Sequence, residues 1–494
     1  MTLDATASKI VADFIAWGIK LQAYTATETI YQTNRLLRLL DVDGMVLQVV
    51  GDTNTSLTVL TDGLMALSER NDERYRAELL DIVTPTPDRL QATFDRLYQV
   101  DQEQAIAYFY ELSRTVENVK VREVARNRQF IYASEFGDLE ITINLSKPEK
   151  TTAEIKAAAN LPKASYPPTA LDFTNEGYRG NARIAPRQTH RFVRTMLGNE
   201  QWGWHYSPYA YFAEHAIFVN FTRQMMQINA QTFQKLVQLV QQYPAYVIGS
   251  NADLPIVGGS ILSQEHFQGG RHEFPMLKAQ ERLQFTLPTF GAVQASVLHW
   301  PMTVIKLSSR DEQQLVQASE FVRESWASYT DDALAIHAYG PAQQPQHTVT
   351  PIVRRVDDVY QMFIVLRDNG VSSEFPDGIF HPHQDVQHIK RENIGLIEVM
   401  GLAILPGRLQ TELATVVDYL TDCVSLSQVA SSHQEWAQVI KATYTQQTAT
   451  AAAEFVDAAV GAVFARVLSD AGVYKLDAAG EAGLQRFINH LQAK

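Results

Sequence analysis

The spacing of apolar residues changes twice along the chain, and this change most restricts the folds that the chain can adopt. Near its start, one helical face collects Ile10, Phe14, Trp17 and Leu21. Over residues 139–145, apolar residues instead alternate with polar ones, as in a half-buried strand. After residue 405 the helical spacing returns. Helices at both ends with strands between them predict an α+β protein.

The same change of pattern predicts four segments. We expect a helical N-terminal segment over residues 1–135 and a helical tail over residues 426–494. The region between them mixes α and β patterns and is expected in two parts, 136–240 and 241–425. This region is rich in aromatic residues, histidines and glycines, so we expect the chemistry of the protein to be concentrated there.

Charge and cysteine content exclude several classes of protein. The chain has 42 Lys and Arg against 55 Asp and Glu, a net charge of −13, whereas a nucleic-acid groove concentrates cations. Its single cysteine, Cys423, cannot form an internal disulfide, and it excludes metal sites built only from thiolates. No apolar run reaches the roughly 18 residues that a membrane span needs. We therefore expect a cytoplasmic protein that binds neither nucleic acid nor membrane.

Residues 249–271 form the segment that most suggests chemistry. Glycine pairs at 258–259 and 269–270 bracket a strand-sized run that presents Gln264, His266 and Gln268 on one face. Glycines let backbone N–H groups approach a phosphate, and a neutral imidazole in this setting can attack phosphorus. However, a lone histidine between glycines is more often an incidental surface residue in a pair of tight turns. The local pattern leaves both interpretations open.

The wider context resembles the class II galactose-1-phosphate uridylyltransferases, which are relatives of the histidine-triad proteins. The resemblance is carried by residues 253–263 (DLPIVGGSILS) and 265–270 (EHFQGG). Supporting stretches are residues 143–149, 175–178, 206–209, 214–215 and 392–401. The resemblance implies a duplicated, histidine-triad-like antiparallel sheet as the core and, by analogy with relatives, a homodimer.

The resemblance also implies a two-step transfer of UMP from UDP-glucose to galactose 1-phosphate. His266 occupies the position of the histidine that attacks the α-phosphorus and holds UMP while glucose 1-phosphate leaves. Gln268 stands where histidine-triad hydrolases carry another histidine, and a glutamine cannot exchange a proton at neutral pH, which favours transfer over hydrolysis. Two alternatives stay open, a nucleotidyl hydrolase or phosphorylase of the histidine-triad type and a UDP-sugar-binding protein without catalytic activity.

Candidates for substrate binding follow from the same resemblance. Four residues near the motif are expected to hold the nucleotide: Asn251, Gly258, Gly259 and Ser260. Arg187 and Arg191 are candidates for balancing its charge, although solvated surface arginines would give the same pattern. Family analogy alone places three more residues near the sugar phosphate: His347, Glu398 and Lys390.

One departure from the family pattern concerns a structural zinc site. Zinc-containing relatives use a Cys-x-x-Cys pair and two histidines, and the matching positions here are Thr169, Asp172, His215 and Gln264. One imidazole with a carboxylate and an amide makes a poor zinc site. We therefore expect neither zinc nor another cofactor, while the backbone carbonyl of Gln264 remains available to orient the ring of His266.

A second group of histidines needs a separate interpretation. His381, His383 and His388 are close together in the sequence but lack the glycines that flank His266. We expect a polar loop near the active site, with contact to a metal or to substrate as the alternative.

Overall fold

A computed structural model describes residues 2–47, 49–146, 166–259, 261–445 and 448–494. Ser260, one of the expected nucleotide-binding residues, lies outside the described residues. The helices are α1 Ala5–Lys20, α2 Thr29–Leu40, α3 Leu57–Leu67, α4 Glu73–Ile82, α5 Pro87–Tyr98, α6 Gln102–Thr115, α7 Val121–Val124, α8 Ala230–Gln242, α9 Pro275–Lys278, α10 Glu312–Ala327, α11 Leu396–Val399, α12 Leu409–Leu420, α13 Gln434–Thr443, α14 Ala449–Ala471 and α15 Ala478–Ala493. The strands are β1 Thr2–Leu3, β2 Gly44–Met45, β3 Arg128–Ser134, β4 Gly137–Asn144, β5 Val193–Leu197, β6 Glu200–Tyr206, β7 Ala216–Asn220, β8 Val247–Gly249, β9 His266–Gly270, β10 Glu281–Phe285, β11 Gln294–Leu298, β12 Val304–Ser309, β13 His347–Val356, β14 Val359–Asp368 and β15 Leu402–Pro406.

The chain forms two compact units, each made of separate stretches of sequence. The first unit comprises Met1–Arg122 and Lys150–Thr222, and the second comprises Glu123–Glu149 and Arg223–Lys494. Such interleaving depends on contacts between residues that are distant in the sequence. The four segments expected from the sequence stay a prediction.

The first unit combines helices α1 to α6 with an antiparallel meander of β5, β6 and β7. Trp204 of β6 lies opposite Val193 and Phe218 on the neighbouring strands. Phe94 of α5 and Phe109 of α6 pack edge-on against Trp204, with ring centroids 5.8 and 5.0 Å away. The start of α5 at Pro87 follows the preference of proline for the first helical position.

The second unit is built on an antiparallel sheet with the strand order β10-β11-β12-β14-β13-β8-β9. Helices α8 and α10 pack against each other and against this sheet. A smaller sheet pairs β4 with β3 in antiparallel and with β15 in parallel orientation. The alternating pattern over residues 139–145 correctly predicted β4, and the order of the larger sheet brings β8, β9 and β13 side by side.

The helical tail belongs to the second unit and packs against the smaller sheet. Val456, Val460 and Val467 of α14 are fully buried. The same helix contacts β3, where the guanidinium of Arg128 lies 2.5 Å from the carboxylate of Asp457. The helical spacing of these valines therefore marked a packing face.

The fold class is α+β, with helical segments at both ends, as the sequence predicts. The internal duplication implied by the resemblance stays a prediction. Among the described residues, no helix combines the length and the apolar composition that crossing a membrane requires.

Candidate active site

His266 is the first residue of β9, and its ring is held in a defined orientation. Its Nδ1 lies 2.9 Å from the backbone carbonyl oxygen of Gln264, to which it donates in the tautomer with the proton on Nδ1. That tautomer leaves the lone pair of Nε2 unprotonated. The side chain is buried, and burial lowers the pKa of His266 below its usual 6.5, against the opposing effects of the Gln264 carbonyl and the charge of Glu265. The imidazole is therefore neutral at pH 7 and can act as a nucleophile.

A buried ion pair fixes the residue next to His266. The ammonium of Lys235, on α8, lies 3.0 and 3.1 Å from the two carboxylate oxygens of Glu265. The side-chain amide of Gln224 donates to the same carboxylate at 2.5 Å, and the backbone carbonyl of Gln224 accepts from the N–H of Glu265 at 2.8 Å. These contacts attach the start of β9 to α8 and to the segment before it. This pair was not predicted from the sequence, although a lysine on the buried face of a helix, such as Lys235, indicates that an acidic partner lies nearby.

The two adjacent strands β8 and β9 approach so closely that one glycine is required. A Cβ on Gly269 would lie 2.4 Å from the backbone oxygen of Val247. In the same pairing, Gly249 lies opposite Gln268. Directly opposite residues of an antiparallel pair have side chains on one face. Gly249 therefore presents no side chain beside that of Gln268.

Asn251, two residues after the end of β8, contacts two other segments. Its Oδ1 accepts a hydrogen bond from the N–H of Leu396 at 2.9 Å, while its Nδ2 lies 2.9 Å from the position that a Cβ of Gly259 would occupy. A Cβ on Gly258 would meet the backbone oxygens of Ala252 and Leu254 at 2.5 and 2.6 Å. The space made by both glycines is thus filled by protein atoms. Asn251 and both glycines are brought together, and their contact with a nucleotide stays a prediction.

Glu398 and Lys390 form a second buried ion pair in the same unit. The ammonium of Lys390 contacts Oε1 of Glu398, and Oε2 of Glu398 accepts from the N–H of Gly395 at 2.9 Å, which caps α11. Both side chains are buried, and the acidic neighbours of Lys390 raise its pKa in spite of burial. This pair stabilises the turn that presents Leu396 to Asn251.

His347 is placed in the packing between the sheet and α10. Its ring stacks on Trp326 with centroids 3.9 Å apart, and its side chain is fully buried. The backbone oxygen of Trp326 lies 2.9 Å from Nδ1, and the carboxylate of Asp368 lies 3.0 Å from Nε2. Both ring nitrogens have protein partners, so the structure gives His347 a packing role and does not support its predicted contact with the sugar phosphate.

Arg187 and Arg191 belong to the first unit, and their surroundings differ. Arg191 is buried, with its three guanidinium nitrogens donating to the backbone oxygens of Pro85, Gln188 and His190 and to the carboxylate of Asp81. All of its nitrogens therefore stabilise the local fold. Arg187 instead lines a cleft and keeps donor capacity.

The residues at the positions that bind zinc in relatives do not suit a metal ion. The carboxylate of Asp172 accepts from the N–H and the hydroxyl of Thr174 at 2.9 and 2.5 Å, which caps the short helix Phe173–Asn175. Thr169 supplies a hydroxyl, a weak zinc ligand. Within the described ranges, no three His, Cys, Asp or Glu side chains are grouped to hold a metal ion.

The histidines at 381, 383 and 388 do not converge on one point. His381 contacts the backbone oxygen of Pro382, His383 contacts that of Ile379, and His388 contacts that of Asp385. Each ring contacts a backbone oxygen within four residues, and His383 also faces the carboxylate of Asp470 at 3.6 Å. A polar loop near the active site stays a prediction.

Arg367 is a further residue that sequence reasoning missed. It is almost fully buried on β14, and burial lowers the pKa of its guanidinium to about 10 although Glu398 opposes this. It donates to the hydroxyl of Thr350 at 3.2 Å and to the backbone oxygen of Ile394 at 3.0 Å. Arg367 thus ties the sheet to the segment that contacts Asn251. An arginine ending the apolar run of residues 362–366 was the available signal.

Comparisons with known proteins agree on one family. Residues 22–223 match the family model described as the N-terminal domain of galactose-1-phosphate uridyl transferase, and residues 238–438 match the model of its C-terminal domain. A galactose-1-phosphate uridylyltransferase of Lactiplantibacillus plantarum is 49% identical over 94% of this chain and 96% of its own length. Proteins of the same name from Lacticaseibacillus paracasei and Enterococcus faecalis are 46% and 43% identical, covering 97% and 98% of this chain and 99% of their own lengths. No solved structure matches the chain.

Proposed function

Since the chain belongs to the galactose-1-phosphate uridylyltransferase family and is a nucleotidyltransferase, we propose that it moves UMP from UDP-glucose to galactose 1-phosphate through a uridylyl group bound to His266. The observation that carries the proposal is the 2.9 Å contact between Nδ1 of His266 and the carbonyl oxygen of Gln264. This contact keeps the proton on Nδ1 and aims the lone pair of Nε2 away from it.

In the first step, Nε2 attacks the α-phosphorus of UDP-glucose. An N–P bond forms, the bond from the α-phosphorus to the bridging oxygen breaks, and glucose 1-phosphate leaves with that bonding electron pair. The ring then carries both phosphorus and the Nδ1 proton, so it is cationic. The Gln264 carbonyl and the carboxylate of Glu265 both favour that charge. A cationic imidazole is also a good leaving group for the next step.

In the second step, a phosphate oxygen of galactose 1-phosphate attacks the same phosphorus. The N–P bond breaks, neutral His266 returns, and UDP-galactose forms. A phosphate dianion is already deprotonated, so this attack needs no general base. Water does need one, and the side chain of Gln268 cannot accept a proton at neutral pH. Gln268 therefore supports transfer over hydrolysis, and its proposed role is to hold the phosphoryl oxygens.

The surrounding residues have proposed supporting roles. Asn251 lies next to Gly259, and together with Gly258 and Gly259 it is proposed to hold the nucleotide. No proposed step passes through zinc, because one imidazole with a carboxylate, an amide and a hydroxyl makes a poor zinc site. A homodimer and a cytoplasmic location stay predictions from the sequence.

Isotope exchange tests the two-step mechanism. The protein is mixed with UDP-glucose and labelled glucose 1-phosphate in the absence of galactose 1-phosphate. A covalent intermediate predicts that label enters UDP-glucose, because the first step is reversible by itself. His266→Asn should abolish the exchange. Label that enters only after galactose 1-phosphate is added would contradict the covalent route, and release of free UMP without exchange would favour a hydrolase.

A further inference from the structure

The first unit contains a cleft that the proposed reaction does not use. The space that water-sized spheres can occupy inside it is about 20 Å³, and an empty volume of about 330 Å³ includes the open solvent at its mouth. One wall comes from α4, another from residues 116–120, and a third from Pro186, Arg187 and Thr189. We refer to it as the Arg187 cleft.

The charges around the Arg187 cleft are only partly balanced. Arg76 is paired with Glu117 through two contacts of 2.6 Å, and Lys120 lies 2.8 Å from the carboxylate of Glu73. Within the part of the chain that the structure describes, Arg187 has no carboxylate at ion-pair distance. The wall contains three cations and two carboxylates, and Arg76 pairs in addition with Asp62, which is not part of the lining. Among the described residues, Arg187 is the cation of the wall without a carboxylate partner.

Arg187 is half-buried, and within the described ranges one of its guanidinium nitrogens lacks an acceptor. Its Nε is buried and has no hydrogen-bond acceptor among the described residues. Burial lowers the pKa of the guanidinium, although a hydrogen bond with the side chain of Tyr209 and the charge of Glu73 oppose the shift. An anion in the cleft would supply the missing partner.

Two other donors face the same space. Thr189 lines the cleft, and no described residue hydrogen-bonds to its hydroxyl. Lys120 has three ammonium protons and directs one toward Glu73, so it keeps donor capacity. A guanidinium, an ammonium and a hydroxyl together suit a tetrahedral oxyanion with several free oxygens.

We propose that the Arg187 cleft binds a phosphate monoester or inorganic phosphate through Arg187, Thr189 and Lys120. A monoester dianion fits this donor set better than the diphosphate diester of a nucleotide sugar, since it presents three terminal oxygens on one phosphorus. The proposal changes the ligand expected for Arg187 from the nucleotide to a monoester. It is independent of covalent chemistry at His266.

Calorimetric titration tests the proposal. The His266→Asn variant, which cannot form the intermediate, is titrated with inorganic phosphate and separately with galactose 1-phosphate at low ionic strength. Adding Arg187→Gln should weaken binding by about tenfold or more, since one charged hydrogen-bonding partner is lost. Arg114→Gln removes the same charge from an exposed position of the same unit and should leave the affinity unchanged.

The two affinities show whether the cleft binds inorganic phosphate or a sugar phosphate. Equal affinity for both ligands identifies the phosphate group alone as the ligand, whereas tighter binding of galactose 1-phosphate identifies a sugar phosphate. Arg187→Lys and Thr189→Val repeat the test if Arg187→Gln does not fold. The proposal is overturned if the parent protein binds neither ligand, or if folded Arg187 and Thr189 variants bind both with the parent affinity.

Discussion

Replacing Glu265 with Gln should damage both the stability and the activity of the second unit. Glu265 is 5% exposed and Lys235 is 8% exposed, and their charged atoms lie 3.0 and 3.1 Å apart. The substitution keeps the shape of the side chain and removes only its charge. The buried ammonium of Lys235 would then lose the charge of the Glu265 carboxylate.

The expected cost is large because the pair is buried. Removing one partner of a buried ion pair typically costs about 3–5 kcal/mol, whereas an exposed pair contributes about 0–1 kcal/mol. Asp422→Asn is a matched control, because Asp422 pairs with Lys441 at 2.5 Å in the same unit while its side chain is 84% exposed. We expect Glu265→Gln to exceed this control by at least about 2 kcal/mol.

Hydrogen exchange measures this cost locally. The amides of β9 and α8 report the free energy of opening around the pair without requiring the whole chain to unfold in one step. The double variant Lys235→Met with Glu265→Gln should recover part of the loss, since no charge remains buried. If the amides of β9 and α8 exchange no faster in Glu265→Gln than in Asp422→Asn, the buried ion pair does not stabilise this region more than the exposed one does.

Three further predictions concern the chemistry. Burial lowers the pKa of His266, so the ring stays neutral as the pH falls through 6.5. The rate of uridylyl capture from UDP-glucose, measured by quenched flow, should therefore stay level through pH 6.5 and decline only below it, where the imidazolium forms. A profile with its midpoint at or above pH 6.5 would contradict this. Gln268→His restores a proton acceptor and should raise UMP release to water by up to about 10²-fold; unchanged hydrolysis, measured without acceptor, would show that Gln268 does not restrain it. Elemental analysis of protein purified without chelator should find no stoichiometric zinc, and about one zinc per chain would overturn the zinc argument.

The elements that the sequence predicts well are those whose signal is local. The alternation over residues 139–145 marks β4, and Thr86-Pro87 marks the start of α5, because each pattern is complete within one element. The interleaving of the two units and the pairing of β8 with β13 depend on residues about 100 positions apart. Periodicity within a single element contains no information about such pairings.

The contacts of the site also divide into local ones, which the sequence predicts, and contacts between distant residues, which it does not. The contact between His266 and Gln264 spans two residues and could be inferred from the motif. The partners of Arg191 include Asp81 and Pro85, more than 100 residues earlier, and those of His347 lie 21 residues away on either side. Family analogy offered these residues as substrate contacts, and only the fold reveals that protein groups already occupy their nitrogens.

The covalent intermediate on His266 is tested most directly by locating the uridylyl group on the protein. The chain is incubated with UDP-glucose without acceptor, quenched at alkaline pH, digested, and mapped by tandem mass spectrometry. We expect one uridylyl group on the peptide that contains His266. This group should be lost when galactose 1-phosphate is added, and it should be absent from the His266→Asn variant. A uridylyl group on another residue, or none in protein that turns over both substrates, would contradict this expectation.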